Sequence, residues 1–491
     1  MRFRFLLFLI SSIIFPAKCF AHVSERALIL LLPTEFYIPA GISVLILTIL
    51  IAYLTPASFI SSLFSYYQIK NFNLFSIISN RSFEKIKIIS SLFSFLFLMA
   101  LVYLGFSGSR DPLANPLTLF IWSVWFLLMP VIQITVGNLW AFLNPWYGIG
   151  KLFFKKPKVK INDNFSFVFS SAGFLLFSIF MLVYIAPDDP DILAFVVLIY
   201  FILNLFLMVF FGVEWLTKGE CFTSFYTLLS KLSLIWFKDG TLFVGFFGSQ
   251  LKNYKLYPPL SVLFLSIILA TLSFDGLNET FLWFQIINVN PLEFYGRSSV
   301  ITENSLGLIL FAIMLFIIFN LTIYLGHAFI KEKIIFRDII GINSIALLPI
   351  ALAYHIGHYL TSFLVDIQYF YKVLSDPLDL GMDLINIGQF NVTTSFFNTI
   401  ETVKLIWFIQ ASAIVIGHVI AVLLAHSISE NYLKTKSSVL ISQLPISIFM
   451  VAYTFLGLWL LSTPKKTIKN KFNIKYIRTT KAKISGSSGA I

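Results

Sequence analysis

Ten runs of about twenty predominantly apolar residues recur along this chain, the length a helix needs to cross a bilayer. They cover approximately 36–55, 88–107, 117–137, 166–186, 191–213, 257–273, 306–326, 339–364, 403–426 and 439–461. In hydrocarbon every backbone N–H and C=O has to be satisfied within the segment or by a closed barrel, so runs of this kind predict helices. The fold class that follows is all-α, a polytopic membrane helical bundle of about ten transmembrane helices. Only 12% of the residues are charged, against about 25% in soluble domains. The net charge of +12 therefore reads as the lysines and arginines that gather in cytoplasmic loops rather than as a nucleic-acid footprint.

The first residues resemble a secretion signal. Arg2 and Arg4 form the basic part, Phe5 to Phe15 a short apolar core, and Cys19-Phe20-Ala21 a small-residue cleavage site. The expected organisation is a signal peptide or signal anchor over 1–21, a single transmembrane domain over 22–464 and a basic tail over 465–491. Cleavage would leave His22 as the new N-terminus, where an amino group and an imidazole on one residue suit copper. It would also leave Cys221 alone, which excludes an intramolecular disulfide and a cysteine-built metal site.

Loop charge gives the orientation. Lys70, Arg81, Lys85 and Lys87, then Lys151 to Lys160, Lys218 to Lys255, Lys331 to Arg337, and Lys434 with Lys436 alternate with loops carrying Asp188 and Asp189, or Asp275, Glu279 and Glu293, or Asp376, Asp379 and Asp383. The basic set belongs in the cytoplasm of a bacterial inner membrane and the acidic set outside. With ten crossings the tail from Lys465 to Lys483 falls on the acidic side, against the rule. Residues 56–87 and Cys221 to Lys238 mix apolar and basic positions and read as amphipathic helices on the cytoplasmic face. The stretch Gly137 to Trp146, GNLWAFLNPW, reads as an aromatic belt at the membrane boundary or as a re-entrant turn.

The six histidines carry the functional signal. Apart from His22 they all fall in the last 165 residues, as His327, His355 with His358, and His418 with His426. His355 and His358 stand three apart in the eighth run, DIIGINSIALLPIALAYHIGHYLTSFLVD, and share a face if it is helical. Pro349 should kink that helix just before them. Three of the five follow glycine, which lets a neighbouring helix approach closely. A rise of about 1.5 Å per residue allows His355, His358 and His418 to lie at one depth. Ionisable groups inside a membrane are costly and mark function. The expectation is an intramembrane metal site built from His355, His358 and His418, with His426 and His327 at the cytoplasmic ends of their runs as a second, shallower metal site or as interface residues, and His22 as a separate N-terminal metal ligand. It would hold Zn, Cu or Fe, or a haem between two imidazoles. The acidic loop Asp366 to Glu401 would cap its outer mouth.

Taken together, Ala21-His22, the GNLW and NPW strings, Ala353-Tyr354-His355, His358-Tyr359-Leu360, Ser375-Asp376-Pro377, Gly417-His418 and Ala425-His426 resemble a family of bacterial polytopic membrane proteins often labelled fenitrothion hydrolase. The resemblance implies hydrolysis of organophosphotriesters, which metal-activated water can perform. Three functions stand open on the residues themselves: a metal-dependent membrane enzyme acting on a small molecule, a transporter using the histidines for cargo or protons, and a haem or copper redox protein.

Overall fold

The computed structural model describes residues 34–69, 80–162, 165–238, 241–252, 260–291, 293, 296–330, 332, 335–388 and 390–463. The signal-like segment with His22, and the basic tail, lie outside them. The principal helices are α1 (Thr34–Leu54), α2 (Asn80–Ser107), α3 (Pro116–Val136), α4 (Ser166–Val183), α5 (Pro190–Phe211), α6 (Cys221–Ser230), α7 (Ser261–Leu277), α8 (Ile301–Ala328), α9 (Phe336–Ser344), α10 (Leu347–Ser375), α11 (Ile400–Tyr432) and α12 (Lys436–Ser462). Among the described residues nine spans are long and apolar enough to cross a membrane, with α9 and α10 together making one, and the 17-residue α7 is shorter. The protein is an all-α, multi-pass membrane bundle.

Contacts between loops sort the two ends. At one end Arg110 pairs with Asp189 and Asp191, and the Arg297 guanidinium donates to the carbonyls of Met181 and Tyr184. At the other, Lys252 donates to the Ser61 carbonyl, and Glu332 accepts from the backbone of Lys434 and Thr435. The loops meet as their charge pattern predicts, so α7 runs from the basic end to the acidic end despite its length.

Two expectations are corrected at the basic end. The stretches 56–87 and 221–238 are helical only in part, over Ala57–Leu63, the start of α2, and α6, and α6 is buried rather than lying on the surface; their remaining described parts include strands of a three-stranded antiparallel sheet of order β1 (Tyr66–Ile69), β3 (Thr241–Gly245), β2 (Ile235–Lys238). Tyr66 stands opposite Gly245, and Ile235 opposite Val244. Short aromatic and β-branched segments of this kind favour a pleat once a partner is available. The GNLWAFLNPW stretch is no surface belt either, since Trp140, Asn144 and Trp146 are buried. The Thr223 hydroxyl accepts from Trp140 Nε1 at 3.1 Å and from Asn144 Nδ2 at 2.9 Å, and itself donates to Glu220. Glu220 caps α6 by accepting from the backbone of Phe222 and Thr223, and it takes the Tyr200 hydroxyl as well.

The core element is the broken span α9–α10, buried along most of its apolar length. The break falls at Ile345-Ala346, ahead of Pro349 rather than at it. Proline lacks the amide proton of a helix interior but fits the first turn, so α10 starts just before it. Beside it, α3 opens into π-helical turns over Phe120–Leu128. The α10 and α11 helices meet through glycine. A Cβ on Gly417 would sit 2.3 Å from the Ala353 Cβ and 2.9 Å from the Pro349 carbonyl, and one on Gly357 would press on Ile414.

Glu220, outside the crossing helices, yields a pH prediction. Burial pushes its carboxyl above the usual carboxylate range, with its hydrogen bonds opposing the shift in part. A raised folded value means that this group's contribution to stability is complete below about pH 4.5 and declines as pH climbs through the folded value. Thermal midpoints of the purified protein should fall along that rise, and Glu220→Gln should flatten the slope.

Candidate functional site

Two neighbouring side chains of α10 meet one carboxylate of α7. His358 Nε2 lies 2.8 Å from Asp275 Oδ2, and the Tyr359 hydroxyl donates to the same oxygen at 2.8 Å. The imidazole and tyrosine rings stand edge to face, 4.7 Å apart. His358 and Asp275 are each about one-fifth exposed, at 21% and 17%, so the pair lies inside the bundle but within reach of a solvated space. A carboxylate that accepts from two donors is the arrangement that makes a charge tolerable away from water.

That space is a cavity of about 300 Å³ between α7, α10, α11 and α12. His358, Thr361, Tyr354, Trp407 and Gln410 supply its polar edges. Phe397 lies in the loop just before α11, and Val403 and Leu461 belong to the acidic-end termini of α11 and α12, which sets the mouth at that end. Gln410 Nε2 donates to the Gly357 carbonyl at 2.7 Å and Tyr354 to the Tyr453 carbonyl at 2.6 Å. Trp407 is buried, and its indole N–H has no hydrogen-bond partner among the described residues. A buried donor left open costs about 1–3 kcal/mol unless something accepts from it.

The remaining histidines do not join this group. The Phe126 ring centroid of α3 stands 5.3 Å from that of His355, and the backbone of Leu127 and Phe126 lies within hydrogen-bonding reach of the imidazole. His418 donates from Nδ1 to the Ile414 carbonyl at 2.8 Å and lies among Tyr354 and Tyr453, with ring centroids 6.1 Å and 6.3 Å away. Its neighbour Gly417 packs level with Pro349 and Ala353, which puts His418 inward of His355. His355, His358 and His418 therefore do not converge on one centre. The reason is local: helix positions one apart diverge by about 100°, so Tyr354 faces α12 while His355 faces α3. His426 pairs with Glu430 on its own helix at 3.1 Å, near the basic end. His327 lies at the basic end of α8, its ring 5.7 Å from that of Phe336. Among the described residues no three His, Cys, Asp or Glu side chains come together as a metal would require.

Asp275 is the member that reading the chain placed wrongly, in an outer loop. It lies within α7, the one acidic residue of an otherwise apolar helix, and that isolation was the available signal. The carboxylates of the acidic loop turn back on the loop itself, while Phe397 of the same loop reaches the mouth of the cavity. The Asp376 carboxylate accepts from Leu380 and Gly381, and that of Asp383 from Ser375, Ile387 and Gly388. Comparison with known proteins returns nothing: no family model, no curated protein and no solved structure matches the chain.

Asp275→Ala should leave two buried donors without their acceptor and lower stability by about 2 kcal/mol, whereas Asp275→Asn retains an acceptor and should lose less than half of that. Thermal unfolding in detergent compares the two.

Proposed function

We propose that this protein is a proton-coupled transporter of a small solute in the bacterial inner membrane, with the Asp275–His358 pair as its proton site. The observation that carries the reading is a titratable pair inside the membrane-crossing bundle, one member of which, His358, lines a cavity large enough for a small molecule. Intramembrane carboxylate and imidazole groups that face a wet cavity are the usual components of proton relays. Thr361, His358 and Gln410 give the cavity polar edges, so the solute this reading favours carries hydrogen-bonding groups, such as a small carboxylate. Its size falls at the lower end of the roughly 300–1,000 Å³ of ligand sites.

In this account a proton reaching the pair neutralises Asp275 and loosens its hold on His358 and Tyr359. Solute and proton occupy the cavity together, from the acidic end. The discontinuity between α9 and α10 supplies a hinge on the same span, and transporters place their sites at broken helices of this kind. His418 and the His426–Glu430 pair stand on α11 further toward the basic end and give the proton successive stations.

A metal-dependent enzyme, including the phosphotriester hydrolase implied by the family resemblance, needs at least one more ligand beside His358 and Asp275, and none joins them among the described residues. The test uses vesicles loaded with a pH-sensitive dye. Wild type should admit protons when a gradient is imposed and small carboxylates such as acetate, lactate or succinate are added outside. Asp275→Asn and His358→Ala should each reduce that flux at least tenfold. Stoichiometric bound metal or a haem absorption band in wild type, lost in His358→Ala, would replace this reading with the enzyme or redox one.

A further inference from the structure

A second cavity, independent of the proton site, lies on the far side of α3. The α4 and α5 helices are joined by the short turn Tyr184–Asp189, yet they splay apart and leave a wedge of about 620 Å³ between them. Its outer edges are lipid-facing side chains, Leu176 on α4 and Phe195, Ile199 and Leu203 on α5, each about half exposed or more. Its floor is aromatic. Trp122 and Trp125 of α3 lie toward the middle of the bundle, and Trp140 and Trp146 toward the basic end. The wedge is elongated along the bundle, open at the side to the bilayer, and walled almost entirely by hydrocarbon and ring surface. A water-soluble solute would find next to nothing to hydrogen-bond there.

The two ends of the wedge differ in charge: at the acidic end Asp189 and Asp191 are paired with Arg110, whereas the basic end carries lysines. The short helix Tyr147–Phe153 packs against the basic end of α5, where a Cβ on Gly150 would lie 2.7 Å from Val213 and 3.1 Å from Met208. The chain then crosses the basic end of α5. This crossing carries Lys155, Lys156, Lys158 and Lys160, all exposed. It is pinned to α5: Lys158 N donates to the Phe210 carbonyl at 2.7 Å, its ammonium stands 5.8 Å from the Phe210 ring, and Gly212, at φ +62°, abuts Lys156 and Pro157. From Leu203, the last α5 residue on the wedge, to Phe210 is about 10 Å of helix rise. The lysines thus sit one headgroup's depth beyond an apolar slot.

We propose that this wedge binds an anionic phospholipid from the bilayer, one hydrocarbon chain lying between α4 and α5 over the tryptophans and the phosphate held by Lys155, Lys156 and Lys158. Basic groups at the end of an interhelical groove are the physical basis of headgroup selection. The chain contributes by filling apolar volume that splayed helices cannot fill themselves.

Tryptophan quenching by brominated acyl chains tests the site. Full-length protein is reconstituted in vesicles containing either brominated phosphatidylglycerol or brominated phosphatidylcholine at equal mole fraction. Quenching should be at least twofold stronger with the anionic lipid. The triple variant Lys155→Gln, Lys156→Gln, Lys158→Gln should bring the two to equality, and Val196→Phe, which fills the wedge, should weaken quenching by both. Equal quenching of wild type by the two lipids would overturn the proposal, because it would mean ordinary contact with surrounding lipid. Unchanged quenching in Val196→Phe would overturn it as well, by placing the quenched tryptophans elsewhere.

Discussion

A carboxylate among hydrocarbon has to be neutralised or partnered, and much of the bundle's middle is arranged around the way Asp275 meets that demand. It is set near the acidic end of a helix that is otherwise apolar, opposite two successive side chains of α10 that both donate to one of its oxygens. A replacement by packed hydrophobic groups would be the less costly way to build a rigid core, since buried ion pairs are weak contributors to stability. Keeping the pair beside a cavity makes sense where its protonation state does something.

The position of that pair depends in turn on how closely α10 and α11 approach. Gly417 and Gly357 bring the two backbones together where any Cβ would collide with Ala353, Pro349 or Ile414. This contact fixes the register, and the register decides which ring faces which neighbour. It sends His358 to Asp275 and the cavity, His355 to the π-helical turns of α3, and His418 to Tyr354 and Tyr453. The break before Pro349 lets the same span change direction without an unsatisfied amide, because tight turns at Ala346 and Leu348 take up the carbonyls of Asn343 and Ile345. Glycine contact, helix break and widened turns all fall within a few turns of the titratable pair.

The crossing helices were legible in the chain because hydrocarbon imposes one requirement on every residue of a span, and about twenty apolar positions in a row satisfy it. Loop sidedness was legible for the same reason, through charge. The sheet at the basic end was not: β1 and β3 are short and lie some 175 positions apart, so no local pattern announces their pairing. His358 could be named from its place in an apolar run, while its partner could not, since Asp275 looked like the first residue of an acidic loop. The expectation of three histidines around one centre failed on helix geometry, because depth along the axis was considered without the angle around it. Glu220 passed unnoticed since a single acid between a lysine-bearing turn and a cysteine gives no sign of burial until Thr223 and Tyr200 are seen to converge on it, with Trp140 bonded to Thr223 behind them.

Water access to the Asp275–His358 cavity is the point on which the functional account turns, and a single cysteine measures it. Thr361 lines that cavity, the native Cys221 is buried, and with Cys19 replaced by Ser the background is unreactive. In intact vesicles Thr361→Cys should react with a charged, membrane-impermeant thiol reagent supplied from the side of the acidic loops. Reaction with an apolar, membrane-permeant reagent alone would contradict the account, for it would place the pair's cavity in lipid instead of in a route for solute and protons.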